Sequence, residues 1–356
     1  MFLGGYGSLG VVDSVVVTLK TLVENDRPEI YREASAGIFL ATGKSLEFET
    51  KPSLVFDLAS LTKGLFTAPR IFQFAAERGI LLERPISESA SLELKSRLSP
   101  ALLSLTYDQI LSHTSGLPAW MNTYTECLGV DTGSSLAKLG FHLNRVAQRP
   151  LGPKTFCYSD IGFLLLGFIL QVETKMSLGK QLRAWTDLSG SRLSYAPLDR
   201  PEVASTGYCP MRQRELKGEV HDENCFYLGG ETGHAGLFGS LLDVKLHLNW
   251  LFKESFGLSF LHRNALVRKL PHQNSHLTHD GLLGLRQGSG LSAYDFCSGL
   301  AIGHLGFTGT AFWIEPESKD FVIHLTNRVA NGRLSKGITQ SRQNFCEFAN
   351  SERAKC

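Results

Sequence analysis

Hydrophobic positions change period several times along the chain, and each change marks an element. Between Val11 and Val23 the residues Val12, Val15, Val16, Leu19 and Leu22 recur at helical spacing and predict an amphipathic helix. Ala34 to Leu40 reads as a strand, Thr42-Gly43-Lys44 as a turn, and Ser45 to Thr50 as the partner strand. After Pro52 and the apolar run Leu54-Val55-Phe56, the series Leu65, Phe66, Ile71, Phe72, Phe74, Ala75 returns to a helical period. Pro85 and Pro100 break an irregular stretch. Thr106 with Gln109 three residues later has the signature of a capping box and starts another helix. Helices are predicted over 136–148, after the loop ending at Asp160, and over 241–252, with a loop over 189–210. The C-terminal part differs. Phe296 to Ile302, Thr308 to Ile314 and Phe321 to Asn327 predict three strands, and Ile338 to Ala349 a closing helix. Strands at both ends and helices between them predict the α/β (α+β) class. A sheet domain would form from residues 1–64 and 295–356, with a mainly helical domain, residues 65–294, inserted.

Composition narrows the function classes. A chain of 356 residues supports a large core, and 43% hydrophobic with 20% charged residues excludes disordered and fibrous classes. The net charge of +2, with signs mixed, leaves no footprint for nucleic acid or an anionic membrane surface. No apolar run is long enough to span a bilayer. Met1 to Ser8 lacks the basic start of a secretory signal, and the seven scattered cysteines include no Cys-x-x-Cys. Free thiols in a reducing compartment follow, and with them the expectation of a cytoplasmic protein.

The candidate chemistry centres on Ser60-Leu61-Thr62-Lys63. On a helix, residues three apart share a face, so the Ser60 hydroxyl and Lys63 amine would lie side by side at the start of a long buried helix. A serine becomes a nucleophile when a neighbouring base takes its proton, and a buried lysine can be that base. The competing reading is a plain helix start with a solvated lysine. Tyr158 and Asp160 precede a strongly apolar helix, where side chains can point into a cleft. His113 reads as a buried histidine bonded to backbone at a helix end. The glycine-rich run 229–239 lacks the Gly-Lys-Ser/Thr of a phosphate loop and suggests close backbone packing. His272, His276, His279 and Asp280 lie in a polar stretch without a helical frame and read as a solvated loop rather than a metal site.

Taken together, Ser60-x-x-Lys63, then Tyr158-Ser159-Asp160, then His304-Leu305-Gly306 resemble the serine β-lactamase and penicillin-binding-protein superfamily. The class C-like esterase and D-aminopeptidase branch is the nearest in look. Supporting stretches are 111–117, 220–224, 233–238 and 313–316. The resemblance implies a β-lactamase/transpeptidase-like fold, an antiparallel sheet flanked by terminal helices, with the site in the cleft beside the inserted helical domain. It implies Ser60 as the acylated nucleophile, Lys63 and Tyr158 as the general-base pair, and His304 beside them. Asp160, Gly306 and Phe307 would meet the substrate, with the backbone N–H groups of Ser60 and Phe307 as the oxyanion hole. Neither metal nor cofactor is implied, and the substrate would be a small or peptide-like molecule. Two departures stand out. Asp160 replaces the usual asparagine, so it cannot donate when ionised and would raise the Lys63 pKa. His304-Leu305-Gly306 replaces Lys-Thr-Gly and loses a fixed positive charge. Both weigh against efficient penicillin hydrolysis. His221 and Asp222 read equally as substrate contacts or as pins of a loop. The expectation is a serine hydrolase of an ester, amide or peptide bond. The alternative is a catalytically weak penicillin-recognising sensor.

Overall fold

The structure, a computed structural model, describes residues 34–39, 45–49, 53–126, 133–196, 202–269, 286–287, 301–315, 318–333 and 337–353. The helix expected over 11–23 and the histidines at 272, 276 and 279 lie outside the described residues. The strands in chain order are β1 (Ala34–Phe39), β2 (Ser45–Glu49), β3 (Phe56–Asp57), β4 (Ser194–Tyr195), β5 (Gly207–Cys209), β6 (Arg214–Leu216), β7 (Leu237–Gly239), β8 (Arg286–Gln287), β9 (Ile302–Leu305), β10 (Ala311–Ile314) and β11 (Phe321–Thr326). Six of them form one antiparallel sheet in the order β2-β1-β11-β10-β9-β8. Pairing of β1 with β11 runs from Ala34 opposite Thr326 to Phe39 opposite Phe321, so the two ends of the chain close the sheet together. A smaller sheet, β3-β7-β4, lies under the Ser60 turn, and β5 with β6 makes a hairpin.

The main helices are α1 (Ala68–Arg78), α2 (Tyr107–Leu111), α3 (Ser135–Val146), α4 (Asp160–Thr174), α5 (Leu178–Ser189), α6 (Glu223–Tyr227), α7 (Leu241–Leu251), α8 (Ser255–Lys269) and α9 (Ile338–Arg353). Mixed helix and antiparallel sheet is the class the sequence predicts. Thr106 and Gln109 form the expected reciprocal capping box at α2. Helix α4 is apolar on all sides from Ile161 to Leu170, so it runs through the core rather than over the surface. Gly167 on α4 lies against Gly233. A Cβ on Gly233 would sit 2.2 Å from the Phe163 carbonyl oxygen, so the glycine run provides the close backbone packing expected of it. Among the described residues no single helix is long and apolar enough to cross a membrane.

Three boundaries differ from the sequence reading. The strand expected over 296–302 is found at Ile302–Leu305, and residues 291–300 lie outside the described residues. Residues 306–310 form a tight turn instead of the start of a strand. Gly306 N–H donates to the Thr310 carbonyl and Gly309, at φ +112°, reverses the chain. The loop 189–210 contains β4 and β5, whose two- and three-residue pairings are too short for a period to show in the sequence. The sheet also recruits Arg286–Gln287, and α7 packs on β1 and β11.

Candidate active site

The nucleophile turn is built from below. Leu58 N–H donates to the Leu237 carbonyl, and Thr62 Oγ1 donates to the Ala59 carbonyl while accepting Leu237 N–H. Ala59 takes a left-handed φ of +48°, a costly conformation for a non-glycine residue. The buried Asp57 carboxylate holds it there by accepting Ala59 N–H at 2.8 Å. The chain then turns tightly, Lys63 N–H reaching the Ser60 carbonyl. It continues as a π-helical segment, Lys63–Thr67, before α1 begins. A regular first turn was expected; the wider turn follows because Ala68 N–H bonds five residues back to Lys63.

Ser60 and Lys63 do lie side by side, with Lys63 Nζ 2.8 Å from Ser60 Oγ. Lys63 is fully buried. Its ammonium reaches Ser60 Oγ, the Tyr158 hydroxyl, the His234 carbonyl at 2.9 Å and Asp160 Oδ1 at 2.7 Å. Burial disfavours the charge, but the Asp160 carboxylate and the Tyr158 hydroxyl outweigh it, so the Lys63 pKa is raised. That is the direction expected from aspartate at 160. Tyr158 hydrogen-bonds to both Lys63 and Ser60, and burial raises its own pKa. Ser159 caps α4 by accepting Gly162 N–H, which sets Tyr158 and Asp160 at the helix start. His113 is buried just past α2, its Nδ1 accepting Ser159 N–H and its ring 4.6 Å from the Tyr158 ring. It is a buttress behind Tyr158.

The third part is the turn after β9. Thr308 Oγ1 donates to the Asp57 carbonyl at 2.7 Å and Thr310 Oγ1 to the Leu58 carbonyl at 3.1 Å. These bonds hold the Gly306-Phe307 turn against the Ser60 turn. A Cβ on Gly306 would meet Thr310 Oγ1 at 2.0 Å and the Leu58 carbonyl at 2.9 Å. Among the described residues neither Ser60 N–H nor Phe307 N–H has an acceptor, so both donors are available to a ligand. The Phe307 ring is 45% exposed and stacks on His221, with the Arg328 and Arg333 guanidinium groups over it. His304 is buried on β9, its ring 6.0 Å from that of Tyr158. Its Nδ1 donates to the Leu305 carbonyl at 2.9 Å, because a carbonyl only accepts.

All seven singled-out residues therefore converge. Sequence reasoning passed over Asp57, Thr308, Thr310 and His234, which hold these parts together. Asp57 follows the apolar run directly, and a carboxylate entering a buried strand is the signal available for it. His221 N–H donates to Asp57 Oδ2 at 2.7 Å, and Asp222 pairs with His234 at 3.0 Å, bonds that fit the pin reading of the pair. Among the described residues no cluster of three His, Cys, Asp or Glu side chains is placed to hold a metal ion.

Comparison with known proteins agrees with this geometry. The Beta-lactamase family profile matches residues 40–343. An N-acetylmuramyl-L-alanine amidase of Bacillus subtilis is 30% identical over 314 residues, covering 78% of this chain and 69% of its own length. A putative D-alanyl-D-alanine carboxypeptidase of Salmonella typhi is 27% identical over 207 residues, covering 51% of this chain; the match spans about half, 48%, of the relative's length. The crystal structure of D-amino acid amidase from Ochrobactrum anthropi superposes with a TM-score of 0.66 at 15% identity, covering 97% of this chain and 99% of that one, which is a likeness of fold. With the profile spanning most of its length, the chain belongs to the Beta-lactamase family of hydrolases.

Proposed function

We propose that this chain cleaves an ester, amide or peptide bond through an acyl-enzyme on Ser60. The observation that carries the reading is the Ser60 hydroxyl placed 2.8 Å from the Lys63 amine with Tyr158 bonded to both. The substrate enters between the Phe307 turn and the start of α4, in the cleft between the sheet and the helical layer. Its carbonyl oxygen takes the N–H groups of Ser60 and Phe307. Ser60 Oγ attacks the carbonyl carbon and its proton passes to the Lys63–Tyr158 pair. Positive charge on Lys63 favours the Tyr158 oxygen as the relay, since the ammonium stabilises a phenolate. Collapse of the tetrahedral intermediate returns that proton to the leaving group, and water then repeats the sequence to free Ser60. Donors already aimed at the developing oxyanion supply on the order of 10²–10³ in rate, and positioned proton transfer about 10²–10⁴.

Relatives named amidase and carboxypeptidase support an amide or peptide-like substrate. His304-Leu305-Gly306, which lacks a fixed cation, supports esterase or peptidase chemistry over efficient β-lactam turnover. The alternative of a penicillin-recognising sensor is not favoured by relatives named as enzymes.

The test is intact-protein mass with product release, after mixing with a short-chain p-nitrophenyl ester and, separately, with a cephalosporin. We expect ester turnover through a Ser60 adduct that is absent in Ser60→Ala, and little cephalosporin hydrolysis. A folded wild-type chain that forms no adduct and releases no product overturns the reading.

A further inference from the structure

The segment His221-Asp222-Glu223-Asn224 touches every part of the site without containing any of the reacting groups. His221 N–H donates to Asp57 Oδ2, the carboxylate that also holds Ala59 ahead of Ser60. The His221 ring lies stacked under Phe307, 5.8 Å between centroids. Asp222 Oδ1 pairs with His234 Nε2 at 3.0 Å, and the His234 carbonyl is one of the acceptors of Lys63. Glu223 pairs with Arg333, whose guanidinium lies over the Phe307 ring. Asn224 Oδ1 accepts Thr123 N–H at 3.0 Å and its Nδ2 donates to the Met121 carbonyl at 2.7 Å. That loop is the one whose Pro118 and Ala119 carbonyls take the Ser159 hydroxyl and Asp160 N–H. Four consecutive residues thus reach the nucleophile turn, the lysine, the oxyanion edge and the tyrosine loop. Arg212 locks the segment itself. Its guanidinium donates to the Val220 carbonyl at 2.7 Å and to the His221 and Asp222 carbonyls at 3.4 Å.

We propose that His221–Asn224 is a positioning clasp that sets the register of the nucleophile, the base pair and the oxyanion edge against one another. The elements it joins come from residues 57–63, 118–123, 158–160, 234 and 307, which also bond directly to one another in pairs through Lys63, Ser159, Asp160 and Thr308, whereas this one segment reaches all of them. Such a clasp acts on the alignment of groups that must meet within fractions of an ångström, so it governs the chemical step rather than the binding of substrate. The catalytic consequence rests on the acyl-serine reading above; the structural coupling does not.

Asn224→Ala tests both. In wild type with the p-nitrophenyl ester, we expect the substitution to lower kcat by roughly 10²-fold, the cost of a 1 Å misplacement, with KM little changed. Asn144→Ala is the control, because Asn144 makes the same kind of bond pair elsewhere, accepting Ser99 N–H and donating to the Arg97 carbonyl, each at 2.8 Å. It should cost less stability, since Asn144 is partly exposed where Asn224 is buried, and leave kcat unchanged. Amide hydrogen exchange gives the second readout, independent of turnover. Asn224→Ala should speed exchange at Asp160, Ala59 and His221 as well as at Thr123, whose bond it deletes. Exchange changes confined to Thr123, or equal losses of kcat in the two variants, overturn the clasp. A wild-type chain without turnover overturns the acyl-serine reading, and the exchange result still decides this one.

Discussion

Lys63 reaches several acceptors at once, and one of them is a carboxylate. At rest the pair is therefore a serine hydroxyl beside a paired ammonium. Replacing Asp160 by asparagine removes the charge that holds the Lys63 pKa up, leaving burial to lower it. The acid limb of the kcat/KM profile in Asp160→Asn should move to lower pH. An unmoved limb would separate Asp160 from the proton balance. Asp57 is the other residue with a legible titration. Burial raises its pKa from 3.8 to about 6, against the opposing pull of the His221 and Ala59 N–H groups and Arg212, with Asp222 nearby adding to the rise. The folded chain therefore holds an extra proton between about pH 4 and 6. Its contribution to stability is full below that window and is lost as pH rises through it, by about 3 kcal/mol. Asp57→Asn should abolish that component in urea titrations. The readout is the difference between the two chains, because burial lowers the pKa values of His221, His247 and His324 and these titrate nearby with the opposite sign.

At the scale of elements, the site depends on places where backbones meet without side chains between them. Gly233 and Gly167 bring the glycine run onto α4, so that the neighbouring His234 carbonyl can reach Lys63 and the Gly233 carbonyl can accept the Thr67 hydroxyl. Gly233→Ala pushes a methyl into the Phe163 carbonyl, and backbone cannot yield as a side chain can. A loss of about 1–3 kcal/mol in chemical denaturation is expected, with turnover reduced because the Lys63 acceptor shifts. The π-helical segment after Ser60 belongs to the same scale. Five buried residues, Lys63 to Thr67, widen the helix where Lys63 must turn toward both Ser60 and α4.

For the whole molecule, the end of the chain completes the site. Arg342 on α9 is buried, and its Nη2 donates to the carbonyls of Gly306 at 3.0 Å and Thr310 at 2.9 Å. It thereby braces from behind the turn that carries Phe307. Arg342→Leu leaves both carbonyls short of that donor, and we expect at least a tenfold drop in ester turnover with the sheet still formed, by circular dichroism and kinetics. The same closure brings β1 beside β11, so distant ends of the sequence form one surface.

What the amino-acid sequence determined by itself is local or periodic. The Ser60–Lys63 pairing follows from a three-residue spacing, the α2 capping box from Thr106 and Gln109, and α4 from an unbroken apolar run after Ser159. The order of Ser60, Tyr158 and His304 carried the family, and with it the antiparallel sheet. Other features had no such signal. The turn over 306–310 replaced a predicted strand, because a Gly306–Thr310 bond and the left-handed Gly309 decide it. Asp57, Asn224, His234 and Arg342 are polar residues whose partners lie up to 251 residues away, as for Asp57 and Thr308. Their roles come from burial. A polar group removed from water must find a partner, and only the tertiary structure settles which partner is within reach.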